Sequence, residues 1–154
     1  MNFKVVTLGP KKLVGISWSG PYSQIEDIPK LFQEFEARID EIPKESKESS
    51  FICPFHDRKT EFTYYVTIEV ERLDFVPPGM VSIELPHQKY IKGIHEGSQN
   101  EVQNTYNKLF DWMKQNGYSK DNRSLSIEIY HEEDEEMNKS IENRKFEIYI
   151  PVNE

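Results

Sequence analysis

The sequence is poor in the features that mark secreted and membrane proteins. Its 154 residues include one cysteine, Cys53, which cannot form an internal disulfide. No apolar run approaches the roughly 18 residues of a membrane-spanning helix. The first residues, from Met1 to Lys4, lack the apolar stretch of a signal peptide. These absences predict a cytoplasmic protein that has no membrane partner.

Basic residues are also scarce. Nineteen Lys and Arg stand against 27 Asp and Glu, which gives a formal net charge of -8. A nucleic-acid surface needs a basic stripe that displaces counterions from phosphates, so direct nucleic-acid binding is not expected. The hydrophobic fraction of 36% suits a globular protein, and the length suits one domain or two small halves that share a core.

Seven segments have the β-branched and aromatic composition of strands. In 62–70 apolar and polar residues alternate partly, and 80–85 is bounded by Gly79 and Pro86. The remaining predicted strands are 3–8, 12–18, 89–95, 124–130 and 145–150.

Two segments have the spacing of amphipathic helices. One covers about 98–116, with Ser98 and Glu101 as a capping box and Asn116-Gly117 as its end. Its apolar stripe consists of Val102, Tyr106, Leu109 and Met113. The other covers about 27–40, because a start at Asp27 places Pro29 in the first turn, where its missing N–H is harmless. Its stripe consists of Ile28, Leu31, Phe32, Phe35 and Ile39.

The chain repeats itself. Gly15-Ile16 recurs as Gly93-Ile94, and Leu31-Phe32 recurs as Leu109-Phe110, each 78 residues later. After each helix comes a similar strand, 67–70 or 126–129, which makes Glu69 the expected repeat partner of Glu128. The prediction is a single α+β domain of two strand–helix–strand–strand halves, about 1–78 and 79–154. The first half carries extra residues at 42–60, interpreted as an insertion.

Strand periodicity leads to a site hypothesis. In 124–130 the residues Leu125, Ile127 and Ile129 share one face, and Ser126, Glu128 and Tyr130 share the other. Two helices cover only one face of a sheet, and the aliphatic face is the expected one. The polar face is then either a solvated face, the commoner case, or a pocket with aromatic walls and a carboxylate floor.

Five motifs in order resemble the GyrI-like, or effector-binding, superfamily over essentially the whole chain. They are LVGISWSG at 13–20, PPGMVSIELP at 77–86, YIKGIHEG at 90–97, SIEIY at 126–130 and FEIYIPV at 146–152. That superfamily includes drug-sensing domains of bacterial AraC- and MerR-type regulators and stand-alone, integron-associated effector-binding proteins. The resemblance implies two pseudo-twofold halves that form a curved antiparallel sheet with two main helices on one face.

The resemblance also implies a ligand and its site. Members of the superfamily bind amphipathic, often cationic aromatic molecules between the two halves, through an acidic residue on a late strand. In this chain that position is Glu128. The aromatic partners it implies are Trp18, Tyr65, Tyr90, Trp112 and Tyr130. His95 lies in the superfamily's His-x-Gly turn, where a structural role is as plausible as ligand contact. No cofactor or metal is implied.

Three functions remain open. The first is a stand-alone small-molecule-binding protein, since the effector-like region begins within the first few residues and leaves no segment for a helix-turn-helix. The second is a hydrolase of strained or activated electrophiles, with Glu128 activating water and Tyr130 or Tyr65 orienting it. The third is a protein-binding module that resembles a gyrase inhibitor.

Overall fold

The computed structural model describes residues 3–43, 50–138 and 142–153. Its strands are β1 (Lys4–Leu8), β2 (Lys11–Pro21), β3 (Phe51–Asp57), β4 (Glu61–Val70), β5 (Val81–Leu85), β6 (Gln88–Gly97), β7 (Ser126–Tyr130) and β8 (Arg144–Pro151). Its helices are α1 (Ile28–Arg38), α2 (Val102–Gln115) and the short α3 (Glu135–Asn138). None of the described helices is both long and apolar enough to cross a membrane.

The chain divides into two compact units. The first unit is Pro10–Pro86, and the second is Met1–Gly9 together with His87–Glu154. In the first unit the strands pair antiparallel in the order β3-β4-β2-β5, and in the second in the order β7-β8-β6-β1. Both units contain the strand–helix–strand–strand repeat, as β2-α1-β3-β4 and β6-α2-β7-β8. The α+β class and the duplicated plan are therefore confirmed.

In each unit one edge strand comes from an unexpected place in the sequence. Strand β1 directly precedes β2 in the chain but pairs with β6, and β5 directly precedes β6 but pairs with β2. The predicted halves are each continuous in sequence. In the compact units, by contrast, β1 belongs with the second repeat and β5 belongs with the first.

Helix α1 begins as its sequence predicts. Pro29 lies in the first turn, and Leu31 and Phe35 are buried. The Phe35 ring lies edge-on to that of Phe51 on β3, at 5.7 Å between ring centroids, and Phe32 lies 6.3 Å from Tyr64 on β4. The helix therefore covers the β4 face that carries Tyr64.

Helix α2 ends in a Schellman motif. Gly117 has a φ of +78°, its N–H donates to the Lys114 carbonyl, and the Tyr118 N–H donates to the Met113 carbonyl at 2.8 Å. Leu109 and Met113 are buried in the core of the second unit, as the predicted stripe requires. The other buried members of that core are Ile91, Phe146, Ile148, Ile150 and Val152.

At the start of α2 the predicted capping box does not form. A 3-10 turn over Gln99–Glu101 precedes the helix, and Ser98 makes no side-chain cap hydrogen bond. The Glu101 carboxylate accepts from the Asn104 amide instead. Sequence spacing alone does not decide which neighbouring donor a first-turn carboxylate selects.

Strand β3 was not predicted, because Phe51–Asp57 fell within the expected insertion. Its central Pro54 cannot donate to a ladder, and a proline usually argues against a strand. In the structure β4 pairs with Ile52 and again with the residues from Phe55 to Asp57. Pairing with β4 therefore overrides the local signal, and Cys53 is fully buried there.

Both repeated glycines are required by close packing. A Cβ at Gly15 would lie 1.9 Å from the Val66 carbonyl oxygen. At Gly93 it would lie 2.9 Å from the Phe3 ring and 3.1 Å from a methyl of Leu109 on α2. Any side chain at Gly15 therefore forces the backbone of β4 to move.

We expect Gly15→Ala to lower the free energy of unfolding by about 3 kcal/mol or more, because overpacking against backbone cannot be relieved by a change of rotamer. Gly9→Ala is the matched control, since nothing lies within 4 Å of a Cβ there, and a change within about 0.5 kcal/mol is expected. Urea unfolding followed by circular dichroism measures both. Equal losses in the two variants would contradict the packing argument.

Candidate functional site

Glu128 lies on the face of its sheet that α2 covers. It pairs directly with Ile148, which pairs with Gly93 on β6, and directly paired residues share a face. Ile148 and Leu109 of α2 belong to one buried cluster. The helix therefore packs over the ladder that contains Glu128.

The expected orientation of β7 is thus wrong. Ser126, Glu128 and Tyr130 face the helix, and Ile127 and Ile129 face the other way. All residues of Ser126–Ile129 are buried, so neither face of this strand shows the polar-out pattern that would reveal the helix side. In the first unit the expectation is right, because α1 packs on the face of β4 that carries Tyr64.

Two tyrosine hydroxyls bind the Glu128 carboxylate. Tyr106, in the second turn of α2, donates to Oε2, and Tyr130 on β7 donates to Oε1 at 3.1 Å. Glu128 is only 8% exposed. Each carboxylate oxygen therefore receives a hydrogen bond inside the second unit, from the helix on one side and from the strand on the other.

Further aromatic rings pack against the two tyrosines that bind this carboxylate. Tyr130 stacks on Phe146 with centroids 4.8 Å apart, and Tyr106 packs against Phe110 at 6.4 Å. Phe110 is 37% exposed, so the aromatic group reaches the surface. We call Glu128, Tyr106, Tyr130, Phe110 and Phe146 the Glu128 cluster. A carboxylate attracts a cation by its charge, and the faces of aromatic rings attract one by cation–π interaction.

The structure does not bring Tyr90 and Trp112 into this cluster. Tyr90 lies on the opposite face of the sheet, packs edge-on against Tyr149, and has its pKa raised to about 12 by burial. Trp112, in the last turn of α2, stacks on Tyr118 at 5.8 Å and packs edge-on against Phe3. Both side chains support packing elsewhere in the second unit.

Trp18 and Tyr65 belong to the first unit. Trp18 pairs with Tyr64 on the helix face of β2 and packs edge-on against Phe62 at 5.2 Å. Tyr65 pairs with Ser17 and lies on the other face. These two predicted site residues therefore point to opposite faces of their own sheet, and a ligand role for each stays a prediction.

Glu69 is not the repeat partner of Glu128. Glu69 lies on β4, the last strand of the first repeat, whereas Glu128 lies on β7, the third element of the second repeat. The position equivalent to Glu128 therefore lies on β3. The Glu69 carboxylate forms an ion pair with the Lys11 ammonium, at 3.4 Å. The similar strings at 67–70 and 126–129 come from different strands of the repeat.

Sequence reasoning missed a second carboxylate centre, on the opposite face of the second unit. The Tyr149 hydroxyl donates to Glu147 at 2.8 Å, the Lys92 ammonium lies 3.3 Å from the same carboxylate, and His131 Nε2 lies 3.2 Å from it. Alternation within FEIYIPV places Glu147 and Tyr149 on one face, which is the signal that could have identified this pair.

Charges and burial oppose each other at this second centre. Burial raises the pKa of Glu147, but hydrogen bonds from Tyr149 and His131 and the charge of Lys92 outweigh it, so the net pKa is lowered. Burial and the neighbouring carboxylate raise the pKa of the Tyr149 phenol. Glu147 is therefore an ionised partner of groups within its own unit.

Tyr106 was also missed as a site residue, because it was read as part of the apolar stripe of α2. A buried tyrosine needs a hydrogen-bond partner for its hydroxyl. The presence of a tyrosine in this stripe is therefore the signal that could have identified Tyr106.

Comparison with known proteins agrees with this architecture. The model of the GyrI-like small molecule binding domain matches residues 1–153, and the chain belongs to this family. The transcriptional regulator BrlR of Pseudomonas aeruginosa is 24% identical over 154 residues, which are 99% of this chain and 56% of BrlR. The chain thus spans little more than half the length of that regulator.

Two solved structures share the fold. SAV2435 bound to tetraphenylphosphonium has a TM-score of 0.73 at 16% identity, with 99% of this chain and 94% of that one covered. The EcmrR C-terminal domain has a TM-score of 0.71 at 18% identity, with 99% and 98% covered. The predicted resemblance and its fold are confirmed.

We expect the stability contribution of Glu147 to depend on pH. A carboxyl whose pKa is lowered in the folded state stabilises that state above the unfolded pKa, and this contribution is lost as pH falls through the folded pKa. Glu147→Gln should therefore reduce the free energy of unfolding more at pH 7 than at pH 3, because the stabilisation by the ionised carboxylate declines as the pH approaches its lowered pKa. Urea unfolding at the two pH values measures this.

Tyr149→Phe provides the companion variant, because it removes one donor and keeps the carboxylate. It should retain part of the pH dependence that Glu147→Gln loses. A loss for Glu147→Gln that is the same at pH 7 and pH 3 would show that the carboxylate charge contributes nothing to stability.

Proposed function

We propose that this domain binds amphipathic, cationic aromatic molecules at the Glu128 cluster. The observation that carries the proposal is the buried Glu128 carboxylate, held by tyrosine hydroxyls from two different elements and flanked by aromatic rings. The family is described as small-molecule binding. The proposal adds the charge of the ligand and the residue that selects it.

Burial makes the carboxylate selective for charge. Removing a carboxylate from water costs several kcal/mol, and hydrogen bonds and opposite charge offset that cost. Phenol hydroxyls donate to Glu128 as neutral groups. A ligand cation that takes the place of one phenol supplies a stronger, charge-based interaction with the same oxygen, whereas a neutral ligand replaces one neutral partner by another.

The aromatic members of the cluster favour a hydrophobic cation. Phe110 and Phe146 lie beside the two tyrosines that bind Glu128. Each well-placed ring adds cation–π attraction of about 0.5–2 kcal/mol. Ring faces demand no single hydrogen-bonding pattern, so molecules of different shape can satisfy them. The expected ligand class is therefore defined by charge and aromatic surface.

One structural neighbour illustrates such a ligand. SAV2435 is bound to tetraphenylphosphonium, a cation that carries four phenyl groups. Its identity to this chain is 16%, so the likeness alone carries the fold and not the ligand. Tetraphenylphosphonium is for this reason a probe for the proposal.

A hydrolase is the second candidate, and the Tyr130–Glu128 hydrogen bond favours it. A carboxylate beside a phenol can activate a water and orient it toward an electrophile. Release of product from an activated ester, abolished by Glu128→Gln, would establish this activity. Saturable binding without turnover would leave the binding function as the better description.

We expect Glu128→Gln to weaken tetraphenylphosphonium binding at least tenfold, about 1.4 kcal/mol, because the amide keeps the side-chain size and removes the charge. Binding is measured by isothermal titration calorimetry and by quenching of the two tryptophans. Triphenylphosphine oxide, a neutral molecule of similar aromatic surface, should bind wild type and variant alike.

Glu69→Gln is the matched control. Glu69 is also 8% exposed, and it lies on β4 in the first unit. Its neutralisation should change the affinity for the cation far less than that of Glu128. Equal losses in the two variants, or equal affinity of wild type for the cation and the neutral probe, would contradict the proposed role of Glu128.

A further inference from the structure

His95 is fully buried and clamps the turn that begins α2. It lies near the end of β6, and its ring packs against Phe146 with centroids 5.3 Å apart. Nε2 lies 3.1 Å from the Ser98 carbonyl oxygen, and Nδ1 lies 2.7 Å from Thr105 Oγ1. One imidazole thus bridges the residue that precedes the 3-10 turn and a residue in the first turn of the helix.

The hydrogen-bond directions follow from the partners. A carbonyl oxygen only accepts, so Nε2 carries a proton and donates to Ser98. In the neutral imidazole Nδ1 then accepts from the Thr105 hydroxyl. Thr105 Oγ1 also lies 3.4 Å from the Glu101 carbonyl, the longer of its two contacts. The clamp therefore needs both ring nitrogens and the threonine hydroxyl.

This clamp differs from a side-chain cap, because it binds the Ser98 carbonyl and the Thr105 hydroxyl and not the first backbone N–H groups of the helix. Neither Ser98 nor Glu101 forms a side-chain cap hydrogen bond at the start of the helix. Helix ends without such partners are held weakly and fray. Here a strand residue fixes the helix start, and Thr105 is 3% exposed at the point of attachment.

The residue after Thr105 is Tyr106, which donates to Glu128. A rotation or loosening of the first turn of α2 moves both side chains together, because they are neighbours on one rigid element. We infer that His95 and Thr105 are positioning residues, which fix the start of α2 so that the Tyr106 hydroxyl meets Glu128. The proposed function enters only in making Glu128 the ligand site.

The test reads the Tyr106 hydrogen bond directly, without any ligand. The chain contains eight tyrosines, and labelling their Cζ carbons with ¹³C gives NMR signals that report the hydrogen bond of each phenol. Tyr106→Phe identifies the Tyr106 signal by its loss, and Glu128→Gln gives its position when the carboxylate is neutralised. Thr105→Val removes the hydroxyl at nearly constant size and should shift this signal toward the Glu128→Gln position.

Two companion variants separate positioning from stability. Thr105→Ser keeps the hydroxyl and should restore the wild-type Tyr106 signal. Met113→Val creates a small core cavity near the C-terminal end of the same helix and leaves the clamp intact, so its Tyr106 signal should stay at the wild-type position. If Thr105→Val does not fold, His95→Gln is used, because its amide can still donate to Ser98 while contact with Thr105 is lost.

An unchanged Tyr106 signal in Thr105→Val and in His95→Gln would overturn the inference, as would an equal shift in Met113→Val. Calorimetry with tetraphenylphosphonium supplies a separate readout. Loss of one hydrogen bond predicts about two- to tenfold weaker binding in Thr105→Val. If wild type does not bind the cation, the proposed function fails, but the NMR comparison still decides whether the clamp positions Tyr106.

Discussion

The pairing of Glu128 with Ile148 and of Ile148 with Gly93 is the constraint on which the candidate site depends. It places a carboxylate on the face of the sheet that α2 covers. Gly93 has no side chain, so Leu109 of α2 packs closely over the middle of this ladder. Close packing brings the first turns of the helix near β7, and Tyr106 reaches the carboxylate. A one-residue slip of β7 would turn Glu128 to the other face and remove the site.

Burying a carboxylate under a helix is unfavourable unless its oxygens are bonded, and the fold supplies donors from two sides. Tyr130 is two residues away on the same strand, so it shares the face of Glu128 automatically. Tyr106 depends on the placement of a separate helix. The Tyr130 hydroxyl is thus positioned by β7 itself, whereas the Tyr106 hydroxyl is positioned by α2. The hydrogen bond from Tyr106 to Glu128 therefore depends on where α2 starts. Local rules of stability are often broken at sites of function, and a buried carboxylate is such a case.

Much of the fold could be predicted from the sequence, whereas the details of the site could not. The repeat, the helix stripes and most strands follow from periodicity and from recurring local motifs. Periodicity of two separates the faces of a strand but does not tell which face a helix covers, and β7 is buried on both. For the same reason Glu69 resembled a partner of Glu128, although Glu69 lies on β4 and Glu128 on β7, which are different strands of the repeat. Local strings carry no information on register, which long-range pairing sets.

Glu128 and Glu147 lie on opposite faces of the sheet of the second unit, and their partners suit them to different tasks. Glu147 is bound by the Lys92 ammonium, so an incoming cation must displace a charge that is tethered and already in place. Under the proposed function, a cation at Glu128 would instead displace a neutral phenol. Exchange of a neutral donor for a charged one is favourable in a partly dry site, where electrostatic interactions are stronger than in water. The arrangement of partners therefore favours Glu128 for ligand selection and Glu147 for holding the sheet together.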